Sequence, residues 1–169
     1  REVLGALDDL LGRWRAPAAW GLPLVTFPQP GVEWLVPGTG WHVDSYGPDH
    51  ELPGVTVFAF LLPVDAGGGG TVVLSGSHHL VNRHIATTGT WKPAAVKAAL
   101  TAAHPWLADV WRGNRRPGDE AVVNDVPLSI RELTGAPGDV ILMHPRTLHT
   151  AAPNTAETPR MMLVEIITR

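Results

Sequence analysis

Apolar residues in the first fourteen positions recur at helical spacing. Val3, Leu4, Leu7, Leu10, Leu11 and Trp14 fall near i, i+4, i+7, i+8 and i+11, and this stripe predicts an amphipathic helix lying over one face of something larger. Downstream the period shortens. The runs GLPLVTF (21–27), VEWLV (32–36), WHVDSY (41–46), GVTVFAFLLPV (54–64) and TVVLS (71–75) are separated by proline and glycine, the pattern of successive strands joined by turns. Residues 55–62 carry apolar side chains at both alternating sets of positions, so that strand is expected to be buried on both faces.

Between about residues 80 and 120 the character changes. KPAAVKAALTAAH (92–104) is alanine-rich, and Pro105 opens PWLADVW in the first-turn position that proline tolerates. A helical insertion of about 84–116 is expected there, after which strands resume with EAVVN (120–124), LSIREL (128–133), GDVILMH (138–144) and RMMLVEIIT (160–168). The four glycines 67–70 lack the Gly-Lys-Ser/Thr ending of a phosphate cradle. Thr71 instead opens a strand-like run, so they are expected to form a tight mobile turn between strands. There is no internal repeat, and the pattern as a whole predicts one mostly β domain over residues 1–169.

Composition narrows the chemistry. At 169 residues, 44% hydrophobic and 17% charged, the chain can bury a real core. A formal charge of -3 offers no basic field for a phosphate backbone, which argues against a nucleic-acid partner. No apolar run reaches membrane-spanning length and no signal-peptide core opens the chain, so a cytoplasmic protein with no membrane contact is expected. The chain opens on arginine, as a fragment would. Cysteine is absent; thiolate zinc, iron–sulfur clusters and cysteine nucleophiles are thereby excluded, and any metal must be held by His, Asp or Glu.

His42 and Asp44 lie two apart after a glycine-rich turn, and on a strand they would point to the same side. Eight histidines and sixteen acids in this length give roughly one His-x-acid pair by accident, so the pair needs corroboration. It comes from residues 138–160, GDVILMHPRTLHTAAPNTAETPR, where His149 is followed eleven residues later by Arg160 at the head of an apolar run. If 149–152 and 160–167 are neighbouring strands around the Pro/Asn/Thr turn, the two side chains share one cavity. Two histidines and one carboxylate can occupy three positions on Fe(II), leaving three for a bidentate 2-oxo acid and dioxygen. A planar, permanently charged guanidinium suits the distal carboxylate of that acid.

With those residues in place the sequence resembles the Fe(II)/2-oxoglutarate oxygenases, and within them the phytanoyl-CoA dioxygenase family, over about residues 40–167. WHVD is similar to the family's His-x-Asp strand, GGGGTVVLSGSH to its Gly-Ser-His segment, and GDVILMHPRTLHTAAPN with the following Arg160 to its distal histidine and arginine. The resemblance implies a double-stranded β-helix, or jelly-roll, core. It also implies iron on His42, Asp44 and His149, 2-oxoglutarate anchored by Arg160, and O2 as oxidant. Thr71 is a further candidate contact to the oxoglutarate. Two departures stand out: Ser75 replaces a common proline, and Ala151 replaces a serine that often assists the arginine. Because Asp44 fills the position that halogenating relatives leave to a small residue, oxidation such as hydroxylation of a small organic metabolite, with release of succinate and CO2, is the expected activity. The competing readings are a non-oxygenase metal protein of cupin type and an inactive small-molecule-binding relative.

The remaining candidates carry less. Tyr46 shares the parity of His42 and Asp44 and is the expected pocket wall, whereas Trp41 faces away. His144 is the rival to His149 but lacks the spacing to Arg160, and is expected to be a packed strand-end residue. His78 and His79 are expected to hydrogen-bond locally, and His50, His84 and His104 to lie at the surface. Trp91, Trp106 and Trp111 are divided between covering the site and packing in the core. Asn154 is expected to cap the turn before the last strand.

Overall fold

The computed structural model describes residues 2–44 and 54–169. Helix α1 (Glu2–Leu11) is followed by β1 (Leu22–Thr26), β2 (Gly54–Phe60) and β3 (Thr71–Ser75). Helices α2 (Ser77–Thr88), α3 (Pro93–Ala103) and α4 (Pro105–Val110) come next. The chain finishes with β4 (Glu120–Val123), β5 (Val126–Glu132), β6 (Val140–Met143), β7 (His149–Ala151) and β8 (Arg160–Thr168). The strands form two four-stranded antiparallel sheets, ordered β1-β8-β2-β6 and β4-β5-β3-β7.

Strand alternation explains the layering. On β2, Val55 and Val57 point outward and pack with Leu7, Leu11 and Ile167 beneath α1. Phe58 and Phe60 point inward and meet Met143, Met162 and, from the other sheet, Val73. On β3 the outward Val72 and Leu74 pack against Leu80, Val81, Leu100 and Leu107 of the three helices. The order is therefore α1, first sheet, second sheet, helical layer: a double-stranded β-helix with both outer faces covered in part. The burial on both sides expected for residues 55–62 holds as far as Phe60, where the strand ends; Leu61 beyond it is exposed. Each fully buried leucine of α1 stabilises the helix on its sheet by ~1.5–3 kcal/mol, enough to hold a ten-residue helix that would be marginal alone.

Four expectations need correction. VEWLV forms no strand: Val32 and Leu35 are exposed, while Trp34 is tied by its indole Nε1 to Glu132 (3.1 Å) and Val36 alone enters the core. The segment is anchored by side chains instead of a ladder. Of WHVDSY, only His42 pairs, in an isolated bridge to His149, and Ser45 and Tyr46 lie outside the described residues. Strands β7 and β8 are not neighbours; β7 pairs with β3 in the second sheet and β8 with β1 and β2 in the first. His149 and Arg160 thus approach across the sandwich, and the turn between them is a crossover from one sheet to the other. The helical layer also starts earlier than expected, at Ser77, straight after Gly76. That glycine has φ +85°, and a Cβ there would lie 2.2 Å from the Pro127 carbonyl oxygen, so only glycine fits the strand-to-helix corner.

Candidate metal centre

The bridge between His42 and His149 is a reciprocal pair of backbone hydrogen bonds, each nitrogen donating to the other residue's oxygen at 3.0 Å. Such pairing sets the side chains abreast, and the two imidazole centroids lie 4.2 Å apart. Two residues on, Asp44 returns to the same side, its backbone nitrogen held by the Pro145 oxygen at 2.8 Å. Its Oδ1 is 3.4 Å from His149 Nε2 and 3.9 Å from His42 Nε2. One donor atom from each residue falls within 4.8 Å of the others. Adjacent ligands of an octahedral ion with bonds of ~2.1 Å sit about 3 Å apart, so Asp44 already stands near ligand spacing from both rings and the three could hold one ion once they draw together around it.

Proton placement favours the same conclusion. His42 Nδ1 lies 2.7 Å from the Gly40 oxygen and His149 Nδ1 2.9 Å from the Thr147 oxygen. A carbonyl only accepts, so each Nδ1 carries the hydrogen and each Nε2 presents its lone pair to the common point. Asp44 Oδ2 accepts from the Thr56 hydroxyl at 2.7 Å, leaving Oδ1 for an ion. Burial alone would raise the Asp44 pKa; when the rings are protonated and no ion is held, the hydrogen bond and charge of His149, the Thr56 bond and the His42 charge outweigh it and hold the carboxyl below its ordinary value. Phe58 stands edge-on to His149, centroids 6.3 Å apart.

These groups open on a cavity of about 240 Å³ whose apolar wall is Leu24, Phe58 and Val164 and whose polar wall is Thr71, Thr150 and Arg160. Arg160 is 5% exposed, and burial lowers its pKa. Its Nε and Nη2 donate to Thr26 Oγ1 at 3.1 and 2.5 Å, and Nη1 to the Met162 sulfur at 3.3 Å. Among the described residues no carboxylate forms an ion pair with it. Arg146, also buried, donates to Asn82 (2.8 Å) and does not line this cavity.

The structure thus gathers His42, Asp44, His149, Arg160 and Thr71 at one cavity; Tyr46 lies outside the described residues. His144 does not join them. Its ring stacks on His78 (centroids 4.8 Å), which in turn meets His79 at 4.0 Å, so ring stacking is what joins the histidines expected to bond locally. Trp106 is in the helical core, Trp111 packs edge-on to Trp41 at 5.6 Å, and Trp91 is exposed; none lines the metal cavity. Trp41, Val43 and Leu148 instead border a separate cavity of about 150 Å³ behind the ligands, as alternation requires.

Sequence reasoning missed four residues. Thr56 is an inward polar position in an apolar strand, a signal that was readable. Phe58 has the same parity. Thr26 gave no signal, because its meeting with Arg160 depends on the pairing of the first strand with the last. Glu132 clamps the glycine turn, accepting from Gly67 nitrogen at 2.8 Å and Gly70 nitrogen at 2.9 Å. The turn is therefore pinned and largely buried where mobility was expected. Asn154 caps its turn as expected, accepting from Ala156 nitrogen, and also donates to the Thr158 and Thr26 oxygens.

The family model for phytanoyl-CoA dioxygenase matches residues 1–162. The chain belongs to the phytanoyl-CoA dioxygenase family. Members of the phytanoyl-CoA dioxygenase family use Fe(II), 2-oxoglutarate and O2, and the donor set of His42, Asp44 and His149 suits that ion. No curated protein matches the sequence. Among solved structures, the chain is similar to the non-heme alpha-ketoglutarate-dependent carbocyclase SnoK from nogalamycin biosynthesis, with 24% identity, TM-score 0.49, and 86% of this chain and 47% of that one covered. It is also similar to an N-substituted L-amino acid dioxygenase from Burkholderia ambifaria AMMD, with 15% identity, TM-score 0.45, and 87% and 48% covered. The chain spans about half the length of these structures. No helix among the described residues is long and apolar enough to cross a membrane.

Proposed function

We propose that the chain is the catalytic core of an Fe(II)/2-oxoglutarate-dependent dioxygenase that hydroxylates, or otherwise oxidises, a small organic metabolite, with release of succinate and CO2. The observation that carries this reading is Arg160: a buried guanidinium with no carboxylate partner among the described residues, opening on the same cavity as two histidines and an aspartate. A desolvated cation without a counter-ion is costly, and the distal carboxylate of a 2-oxo diacid anchored at the metal would supply the missing charge.

The bound ferrous ion would contribute the oxidising chemistry with dioxygen and the oxo acid. The protein's part is positional. His42, Asp44 and His149 would hold one face of the ion and leave the other open. The Thr56 hydroxyl keeps Asp44 turned so that one oxygen points to the ion. Arg160 would take the distal carboxylate in its fork. Thr71 is the Cα partner of Ala151 across the strands, so its hydroxyl stands opposite the position where the serine is lacking and would take over that contact. Leu24, Phe58 and Val164 exclude water from the reacting region. With a carboxylate at position 44 the open face has no place for a halide ligand, which favours hydroxylation, desaturation or ring closure over halogenation.

The test is an anaerobic titration of the protein with Fe(II) and then 2-oxoglutarate, followed by the weak visible metal-to-ligand charge-transfer absorption. The band is expected in the wild type and lost in Asp44→Ala. A wild-type protein that binds Fe(II) without developing the band on adding 2-oxoglutarate would move it to the cupin-type metal proteins. Formation of the band without oxoglutarate consumption under air would mark a binding protein.

A further inference from the structure

We infer that Thr26 is a positioning residue for the oxo-acid cosubstrate, acting through Arg160; the inference rests on the reading of Arg160 as the carboxylate anchor. Thr26 is the last residue of β1 and the Cα partner of Arg160 on β8, so both side chains leave the sheet on the same face. Arginine has five N–H donors in a planar fork. The Thr26 hydroxyl accepts two of them, from Nε and Nη2, and the Met162 sulfur accepts one from Nη1. What remains is one N–H on each terminal nitrogen, available to the two oxygens of a carboxylate. Thr26 therefore holds the Nε edge of the guanidinium and fixes the roll of its plane about the Cδ–Nε bond.

Thr26 is itself held from behind. Its backbone oxygen accepts from Asn154 Nδ2 at 3.0 Å, and the same amide nitrogen donates to the Thr158 oxygen at 2.8 Å, two residues before Arg160. Asn154 is fully buried. One amide thus ties the end of β1 to the approach to β8, and the hydroxyl–guanidinium contact lies beside this tie. Ala151 offers no hydroxyl of its own toward the arginine, which makes the orientation of Arg160 depend on Thr26.

Held rigidly, the fork sits at one distance from the metal ligands and selects the chain length of the diacid. Freed, it loses both affinity and that selection. The experiment is isothermal titration of the Mn(II)-loaded protein, which reports binding without turnover, with 2-oxoglutarate and with its four-carbon analogue oxaloacetate. Thr26→Val, nearly isosteric but unable to accept, is expected to weaken 2-oxoglutarate about tenfold, as loss of charge-assisted hydrogen bonds should. It should also narrow the preference over oxaloacetate, while Thr26→Ser stays near wild type. Thermal melts check that the variants fold, and if valine disturbs β1 the Thr26→Ser and Thr26→Ala pair makes the same comparison. Wild-type affinity in Thr26→Val, or equal weakening toward both diacids, overturns the inference provided Arg160→Gln has lost binding. If Arg160→Gln binds like the wild type, the anchor reading itself is what fails.

Discussion

Two titratable side chains near the site are pushed below their ordinary pKa for different reasons, and the difference is testable. Asp44 is lowered because hydrogen-bond donors and positive neighbours outweigh its burial; its charged form is the useful one. His144 is lowered to about 4 because burial comes first and then His78, Arg146 and His79 oppose a further positive charge; its neutral form is the stable one. The neutral ring has a task, since its Nδ1 accepts from Arg146 nitrogen at 3.0 Å and so shapes the turn leading to His149. In the unfolded chain His144 protonates near its ordinary 6.5, whereas in the fold it does so near 4. Between those values the unfolded state binds the extra proton, so the contribution is whole above about pH 6.5 and is lost as pH falls toward 4. Discounted for partial exposure, the loss is on the order of 1–2 kcal/mol. Urea midpoints measured from pH 7 to 4.5 should fall with acid, and His144→Asn, which keeps an acceptor near the Nδ1 position, should flatten that slope. An unchanged slope in the variant would assign the acid sensitivity to other groups.

At the level of elements, the glycine turn before β3 shows how one carboxylate can set a strand. Glu132 accepts from Gly67 nitrogen with one oxygen and from Gly70 nitrogen and the Trp34 indole with the other. This fixes the residue immediately before Thr71. Gly70 has no room for a side chain, since a Cβ would come within 2.2 Å of the Leu133 oxygen. Replacing Glu132 by Gln keeps one accepting oxygen but turns an NH2 group toward a backbone N–H. A loss of ~1–3 kcal/mol in folding stability is therefore expected, measurable in denaturant, together with weaker 2-oxoglutarate binding through Thr71; full stability in Glu132→Gln would mean that the turn holds itself. None of this was legible beforehand. Period and punctuation located nearly every strand and helix, because those depend on local alternation, and the His42, Asp44, His149 and Arg160 set emerged from residue type and spacing. What spacing could not give was partnership. Thr26 and Glu132 act through contacts spanning 134 and at least 62 residues of sequence, and the assumption that adjacent strands pair placed β7 beside β8 when they lie in opposite sheets.

At the scale of the whole molecule, the candidate metal ligands come from segments that the fold otherwise joins only weakly. His42 and Asp44 belong to a stretch with a single isolated bridge, His149 lies on a three-residue strand of the second sheet, and Thr56, which steadies Asp44, lies on the first. An ion held by all three ligands ties the bridge segment to both sheets, and no ion site of that geometry exists in the unfolded chain. Binding to the folded state alone stabilises it by RT ln(1 + [L]/Kd), ~2.7 kcal/mol at a hundredfold excess over Kd. For a chain of this size that corresponds to about 5–10 °C in melting temperature. Melting curves recorded without dioxygen should therefore rise by this amount on adding Fe(II) or Mn(II) and return on chelation. His149→Ala should melt at one temperature with or without metal, because the two remaining ligands hold an ion too weakly to register. An equal rise in wild type and His149→Ala would place the bound ion elsewhere, and with it the chemistry assigned to this cavity.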